Sequence, residues 1–279
     1  MIMKKYLFLL LLAGLCSCGA EQKPGDSKEA IPGPAGSTTA EGTAVTIPAD
    51  TAATTATAAR GCDAMALFQQ GAVIENVTRD VTGKELARSV NTMVSVTEKN
   101  SIKTADMEVA SSNDNTYHAL YKCDGKVFYV DMGALMGSMK GMTNVRREEV
   151  LMDFPLDMKE GDTLSAPAMT MTFNAGKINV TLTNKLAKRI VSGRQKITTP
   201  AGTWDCFKID LLMNIHSEMQ GGDMPTKNPM VMDKQMQMVI YFAIDGGMIR
   251  MELFEKKKLT SISEIIAIRK PGAMPAKTK

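Results

Sequence analysis

The chain has 279 residues, with 33 Lys and Arg against 30 Asp and Glu, and 44% apolar residues. That is enough to bury a core in one large domain or two small ones. Removing a leader that ends at Ser17 leaves 262 residues and takes out Lys4 and Lys5, so 31 basic side chains face 30 acidic ones, a net of +1. A near-neutral chain has no cationic excess to neutralise phosphates, which argues against nucleic acid as a partner. Outside the leader no apolar run reaches the ~18 residues of a spanning helix.

The first twenty residues, MIMKKYLFLLLLAGLCSCGA, put two lysines before the apolar run Tyr6 to Leu12 and small residues after it. This is the layout of a bacterial export signal. Leu15-Cys16-Ser17-Cys18 resembles a lipobox, with Leu at −3, Ser at −1 and the modified cysteine at +1. Cys16 fits worse, because Leu15 would stand where a small residue belongs. The expectation is a lipoprotein signal peptide over 1–17 and a lipidated Cys18. Two or more acyl chains anchor stably, so the membrane is the first expected partner. Gly19 is not Asp, which favours lipid anchoring at the outer membrane, on its periplasmic side or at the surface.

From Gly19 to Arg60 the composition turns to Ala, Thr, Gly and Pro, with Ile31, Val45 and Ile47 as the large aliphatics. Such a stretch cannot offset its ordering entropy, so 18–60 reads as the lipidated cysteine and a disordered tether. Asp50-Thr51-Ala52 and Asp162-Thr163-Leu164 resemble bacterial O-glycosylation sites; ordinary threonines are the competing reading. Pro271 to Lys279 is a basic tail without visible structure.

Residues 61–270 read as an all-β antiparallel domain, a barrel or strongly curved sandwich of about ten strands. In 167–174, Met169, Met171 and Phe173 share one face, against Thr170 and Thr172 on the other. In 177–184 the inward set is Ile178, Val180 and Leu182. Phe207, Ile209, Leu211, Met213 and Ile215 continue it, and 230–242 places Met230, Met232, Met236, Met238, Ile240 and Phe242 on one side. Turn residues fall between these runs, at Thr82-Gly83-Lys84, Asp124-Gly125, Ala175-Gly176, Ala201-Gly202 and Asp245-Gly246-Gly247. The segment 132–142 departs from alternation: Leu135, Met136, Met139 and Met142 are closer to helical spacing. A short helix or loop across one end of the barrel is expected there, as a lid or as a crossover plugging the core.

Thr199 to Ile209, TPAGTWDCFKI, resembles a motif of the TapB family of exported bacterial β proteins: a Pro-Ala-Gly-Thr turn, an aromatic, a Cys, then a strand. Ala243 to Glu252 is similar to that family's C-terminal hairpin, with Gly246-Gly247 replacing separated glycines. Cys62 and Cys123 fit the same resemblance, which covers about 61–268. It implies an exported barrel-like fold of unknown function and carries over no catalytic residue.

Outside the cytoplasm Cys62, Cys123 and Cys206 meet an oxidising environment, and three is an odd number. A Cys62–Cys123 bridge is preferred, because Cys206 alternates with Trp204 in a strand and can be buried as a thiol. A bridge through Cys206 is the alternative.

Methionine is the compositional oddity, 23 residues against 14 aromatics. Thioethers favour reduced copper, with Met224, Met230, Met232, Met236 and Met238 as candidates. Their strand spacing and the lack of a neighbouring histidine argue against a metal site, and no cofactor is expected. Met also suits an apolar pocket inside the barrel, here lined by Met169, Met171, Phe173, Leu211, Met213, Met236, Met238 and Ile240. A filled core is the plainer reading.

No G-x-S-x-G, S-x-x-K, H-E-x-x-H or phosphate-loop pattern is present. His118, five residues before Cys123, is a thiol-activating arrangement only if that cysteine is reduced. The reading is therefore a non-enzymatic, lipid-anchored envelope protein, a structural or partner-binding module for another envelope protein. A carrier of an apolar small molecule such as a lipid is the alternative.

Overall fold

The computed structural model describes residues 61–112, 116–135, 142–222 and 229–271. The signal peptide, Cys18, the tether with Thr51, residues 136–141, Met224 and the tail beyond 271 lie outside the described residues. Among the described residues two 3-10 turns, Cys62–Ala64 and Ala66–Phe68, lead into thirteen strands. These are β1 (Val73–Asp80), β2 (Glu85–Lys99), β3 (Ile102–Ser111), β4 (Thr116–Cys123), β5 (Val127–Asp131), β6 (Met142–Arg147) and β7 (Leu151–Pro155). They continue as β8 (Ala168–Ala175), β9 (Ile178–Thr199), β10 (Gly202–Gly221), β11 (Met230–Ala243), β12 (Gly247–Glu255) and β13 (Lys258–Arg269). A four-residue helix, α1 (Met132–Leu135), follows β5, where helical spacing begins in the sequence.

All thirteen strands belong to one antiparallel sheet, in the order β6-β8-β9-β10-β11-β12-β13-β1-β2-β3-β4-β5-β7. The all-β antiparallel expectation holds, with thirteen strands in place of about ten. Among the described residues no ladder joins β6 to β7, so the sheet is curled rather than closed. The curl is severe. Phe154 on β7 and Phe242 on β11 lie eight steps apart in the strand order, about 38 Å in a flat sheet. Their rings are stacked 4.9 Å apart.

The concave side is the core. Phe128 meets Phe68, Tyr121, Phe154 and Phe242, with centroids 5.6–6.1 Å away. Around this aromatic cluster pack Met93, Met107, Met152, Met169, Met171, Ile209, Ile240 and Ile249, all buried. Unbranched thioethers conform to the irregular space that a tightly curved sheet leaves between rings. The convex side is covered otherwise. Val77, Val239 and Tyr241 are buried there, on the strand parity opposite the core, with the Arg79–Glu264 (2.8 Å) and Arg250–Glu252 (2.7 Å) pairs on the same parity.

Bulges let the long strands follow the curve. In β9 the register with β10 slips at Ala187 and again at Ser192. Before the first slip Val180, Leu182, Asn184 and Leu186 face inward; after it Arg189 and Val191 do. One inserted residue thus turns an arginine into the core.

That arginine closes the seam. Beyond β8, the free edge of β9 is taken by an irregular strand: Leu164 donates its N–H to the Arg189 carbonyl (2.9 Å), and Val191 to that of Asp162 (2.9 Å). The Arg189 guanidinium then reaches β7 at the far end of the sheet. Nη1 donates to Asp153 Oδ1 and to the Ser165 carbonyl, both at 2.8 Å, and Nη2 donates to the Asp153 carbonyl at 2.6 Å. Its carbon lies 4.8 Å from the centroid of the Phe154 ring, and the side chain is fully buried. Ser165 Oγ donates to Asp153 as well.

Candidate functional site

Of the eight residues proposed to line an apolar pocket, five form one contiguous patch on the concave side of β10 and β11. Leu211 pairs with Met238, Met213 with Met236, and Ile240 with Ile209. β12 extends the patch, with Leu253 opposite Met238 and Met251 opposite Ile240. Burial grades along it. Leu211 and Ile240 are buried, Met213, Met236 and Met238 half-buried, and Met251 is 37% exposed. An apolar row therefore rises from the core into solvent on the inner side of the sheet. The other three candidates, Met169, Met171 and Phe173, lie on β8 across β9 from Ile215, Ser217 and Met219, and all three are buried. The copper candidates Met230 and Met232 continue the β11 row outward. Among the described residues no cluster of His, Cys, Asp and Glu is arranged to hold a metal.

A separate open cleft of about 630 Å³ lies over the β7–β8 connection. Leu156, Met158, Phe207, Ile244, Lys159 and Arg194 line it, and Arg194 sits 4.3 Å over the Phe207 ring. None of the eight pocket candidates reaches this cleft.

Cys62 and Cys123 form a disulfide, with Cα atoms 6.0 Å apart, tying the first 3-10 turn to the end of β4. Cys206 is a free, buried thiol. Burial pushes it up to about 12, assisted by the charges of Asp245 and Asp205, so it carries no thiolate at neutral pH. With Cys123 oxidised, His118 has no thiol to activate; its Nδ1 lies 2.8 Å from Asp106 instead, on a half-exposed surface.

A profile of DUF3108-like proteins matches residues 69–265, from the lead-in to β1 through most of β13. The chain belongs to the DUF3108-like family. Two solved structures share this fold. A presumed lipoprotein of Parabacteroides distasonis is 16% identical, with a TM-score of 0.56 over 72% of this chain and 96% of that one. A presumed exported protein of Bacteroides fragilis with a YmcC-like fold is 20% identical, with a TM-score of 0.52 over 72% and 97%. At these identities the likeness establishes the curled sheet. No curated protein matches the chain.

Within this DUF3108-like sheet, the sequence reading passed over Arg189, Asp153, Ser165 and Met251. Arg189 gives no local signal, since an arginine next to Lys188 after an alternating run reads as solvated, and only the bulge at Ala187 turns it inward. Met251 alternates with Ile249 and Leu253, and that short pattern was available.

His216 lies on the outer side between two carboxylates, Nε2 3.0 Å from Glu218 and Nδ1 2.7 Å from Asp233. Hydrogen bonds to Glu218 first and Asp233 second raise its pKa above the ordinary histidine value. The contribution of this contact to stability is complete below that ordinary value and is lost as pH rises through the raised one. The NMR titration of the His216 ring should therefore show a raised midpoint, moving down in Glu218→Gln and further when Asp233→Asn is added. An unshifted wild-type midpoint would dissolve the contact.

Proposed function

We propose that the protein is a lipid-anchored, non-enzymatic component of the bacterial cell envelope whose folded domain binds an apolar partner on its concave methionine face. The observation that carries this reading is the graded row Leu211, Met213, Met236, Met238 and Met251, part buried and part exposed. Flexible thioethers suit a surface that must accept varied apolar shapes. Export and lipidation rest on the leader and on Cys18, and the solved neighbours described as an exported protein and a lipoprotein support them. Attachment at the outer membrane follows from Gly19 behind Cys18. The motifs that resemble the TapB family fall in the same sheet, at the β9–β10 and β11–β12 turns.

Two occupants fit this face: an apolar segment of another envelope protein, and a free lipid-like molecule. The lipid reading is favoured by the continuity of the row into the core, because a chain lying along it would leave water progressively. Native mass spectrometry of the chain from residue 18 onward carrying Cys18→Ser, exported behind a cleavable signal that is not a lipoprotein signal, after exposure to an envelope lipid extract, separates them. A bound mass that organic extraction removes, and that falls at least tenfold in Met236→Glu/Met251→Glu, supports a carrier. Retention of a protein partner by wild type and not by this variant supports the partner-binding module. Unchanged binding of both by the variant would remove the methionine face from the reading.

A further inference from the structure

At one end of the sheet the β12–β13 and β1–β2 hairpins stand side by side, since β13 and β1 are neighbours with Ser261 opposite Asp80. The β12–β13 loop has two residues, Lys256 and Lys257, between the paired Glu255 and Lys258. Both have positive φ, 49° and 68°. A two-residue turn with both central residues in the left-handed region is a type I′ turn, which Asn-Gly satisfies without strain. Two lysines hold it here against their steric preference. Backbone strain kept at an exposed position motivates a search for what the side chains do there.

Lys256, Lys257, Lys258 and Lys84 are exposed, and none has an ion-pair partner among the described residues. The neighbouring acids are largely engaged. Glu255 pairs with Lys234 at 3.2 Å and Glu85 with Arg88 at 2.8 Å, while Asp80 Oδ1 accepts from the backbone N–H groups of Thr82 (2.9 Å) and Lys84 (3.0 Å). Beside the lysines stand two of the more exposed large aliphatics, Val81 at 55% and Leu86 at 37%.

We propose that these two hairpin tips dock against the surface of an anionic phospholipid bilayer. Ammonium groups without an ion-pair partner, around exposed aliphatic side chains, provide two attractions together, to the negative surface potential and to the acyl boundary. The 42 residues between Cys18 and Gly61 are long enough for a chain anchored at Cys18 to turn any end of the domain toward the membrane. Acylation holds the protein near the bilayer; the tips give it an orientation. This inference does not depend on a ligand in the methionine face.

The test is co-sedimentation of the chain from residue 18 onward carrying Cys18→Ser, exported behind a cleavable signal that is not a lipoprotein signal, with vesicles of phosphatidylcholine alone and with 30 mol% phosphatidylglycerol, at low and high salt. Binding is expected only to the anionic vesicles and is lost at high salt. The decisive variant is Lys256→Asn/Lys257→Gly. It installs the unstrained turn, so its melting temperature rises, while its affinity for anionic vesicles falls about thirtyfold. Val81→Asp weakens binding with the lysines in place. No binding by wild type, equal binding to neutral vesicles, or unchanged binding by the better-folded lysine variant each overturns the proposal.

Discussion

Cys62→Ala/Cys123→Ala lowers the unfolding free energy by about 4 kcal/mol in urea, as reduction of the wild-type bridge does. The bridge spans a sequence separation of 61 residues. Closing a loop of that length removes roughly 4 kcal/mol of conformational freedom from the unfolded chain in the chain-entropy model. The native contribution points the same way, because the bridge pins the lead-in whose Met65, Leu67 and Phe68 cover one end of the aromatic cluster. Cys206 makes the comparison clean: a buried thiol held protonated does not exchange with the bridge in the folded state. A loss below about 1 kcal/mol would mean that the lead-in docks without its staple.

Arg189→Ala is the second large effect, with an expected loss of about 3–5 kcal/mol, the range for breaking a buried charge pair from one side. The substitution strands the Ser165 and Asp153 carbonyls, removes the cation from the Phe154 ring and leaves the Asp153 carboxylate, itself 26% exposed, without its cation. Burial works against the Arg189 charge and Asp153 favours it, so the guanidinium is retained for its geometry. Lysine cannot reproduce that geometry: one ammonium in place of Nη1 meets Asp153 Oδ1 and the Ser165 carbonyl but leaves the Asp153 carbonyl, which Nη2 satisfies, without its donor, so Arg189→Lys recovers only part of the loss. Urea unfolding of the two variants measures both quantities. If Arg189→Ala costs less than about 1 kcal/mol, the backbone bonds of 161–167 close the seam alone.

The parts of this fold legible in the sequence are those where period two runs uninterrupted. The alternation of Met169, Met171 and Phe173, and of Val180 and Leu182, lies on β8 and β9 with the expected faces. Legibility ends at Ala187. The alternation read from the sequence ends at Asn184; the strand runs on to Thr199, and the inward set changes parity at the bulge. Short strands were lost for a different reason: β5 and β7 have five residues each, too few for a pattern to stand out, yet they carry Phe128 and Phe154 at the centre of the core. The methionine row was visible as spacing. Its gradient from buried to exposed depends on where β12 and its neighbours end, which only the assembled sheet decides.

The pairing of β1 with β13 has a consequence for how the chain is made. These strands meet in the middle of the sheet, and the Thr78–Ser263 hydrogen bond spans 185 residues. In vectorial synthesis the first strand emerges long before the last, so β1 waits with one edge unpaired until nearly the whole domain has been made. Contacts this distant in sequence place the domain among slow folders, with a rate set by topology more than by stability. The interval before β13 arrives is when the chain is most exposed to edge-to-edge association and to proteases. A truncation that removes β13 would prolong that interval indefinitely, and its product would be cleared rather than accumulate as a partly active protein.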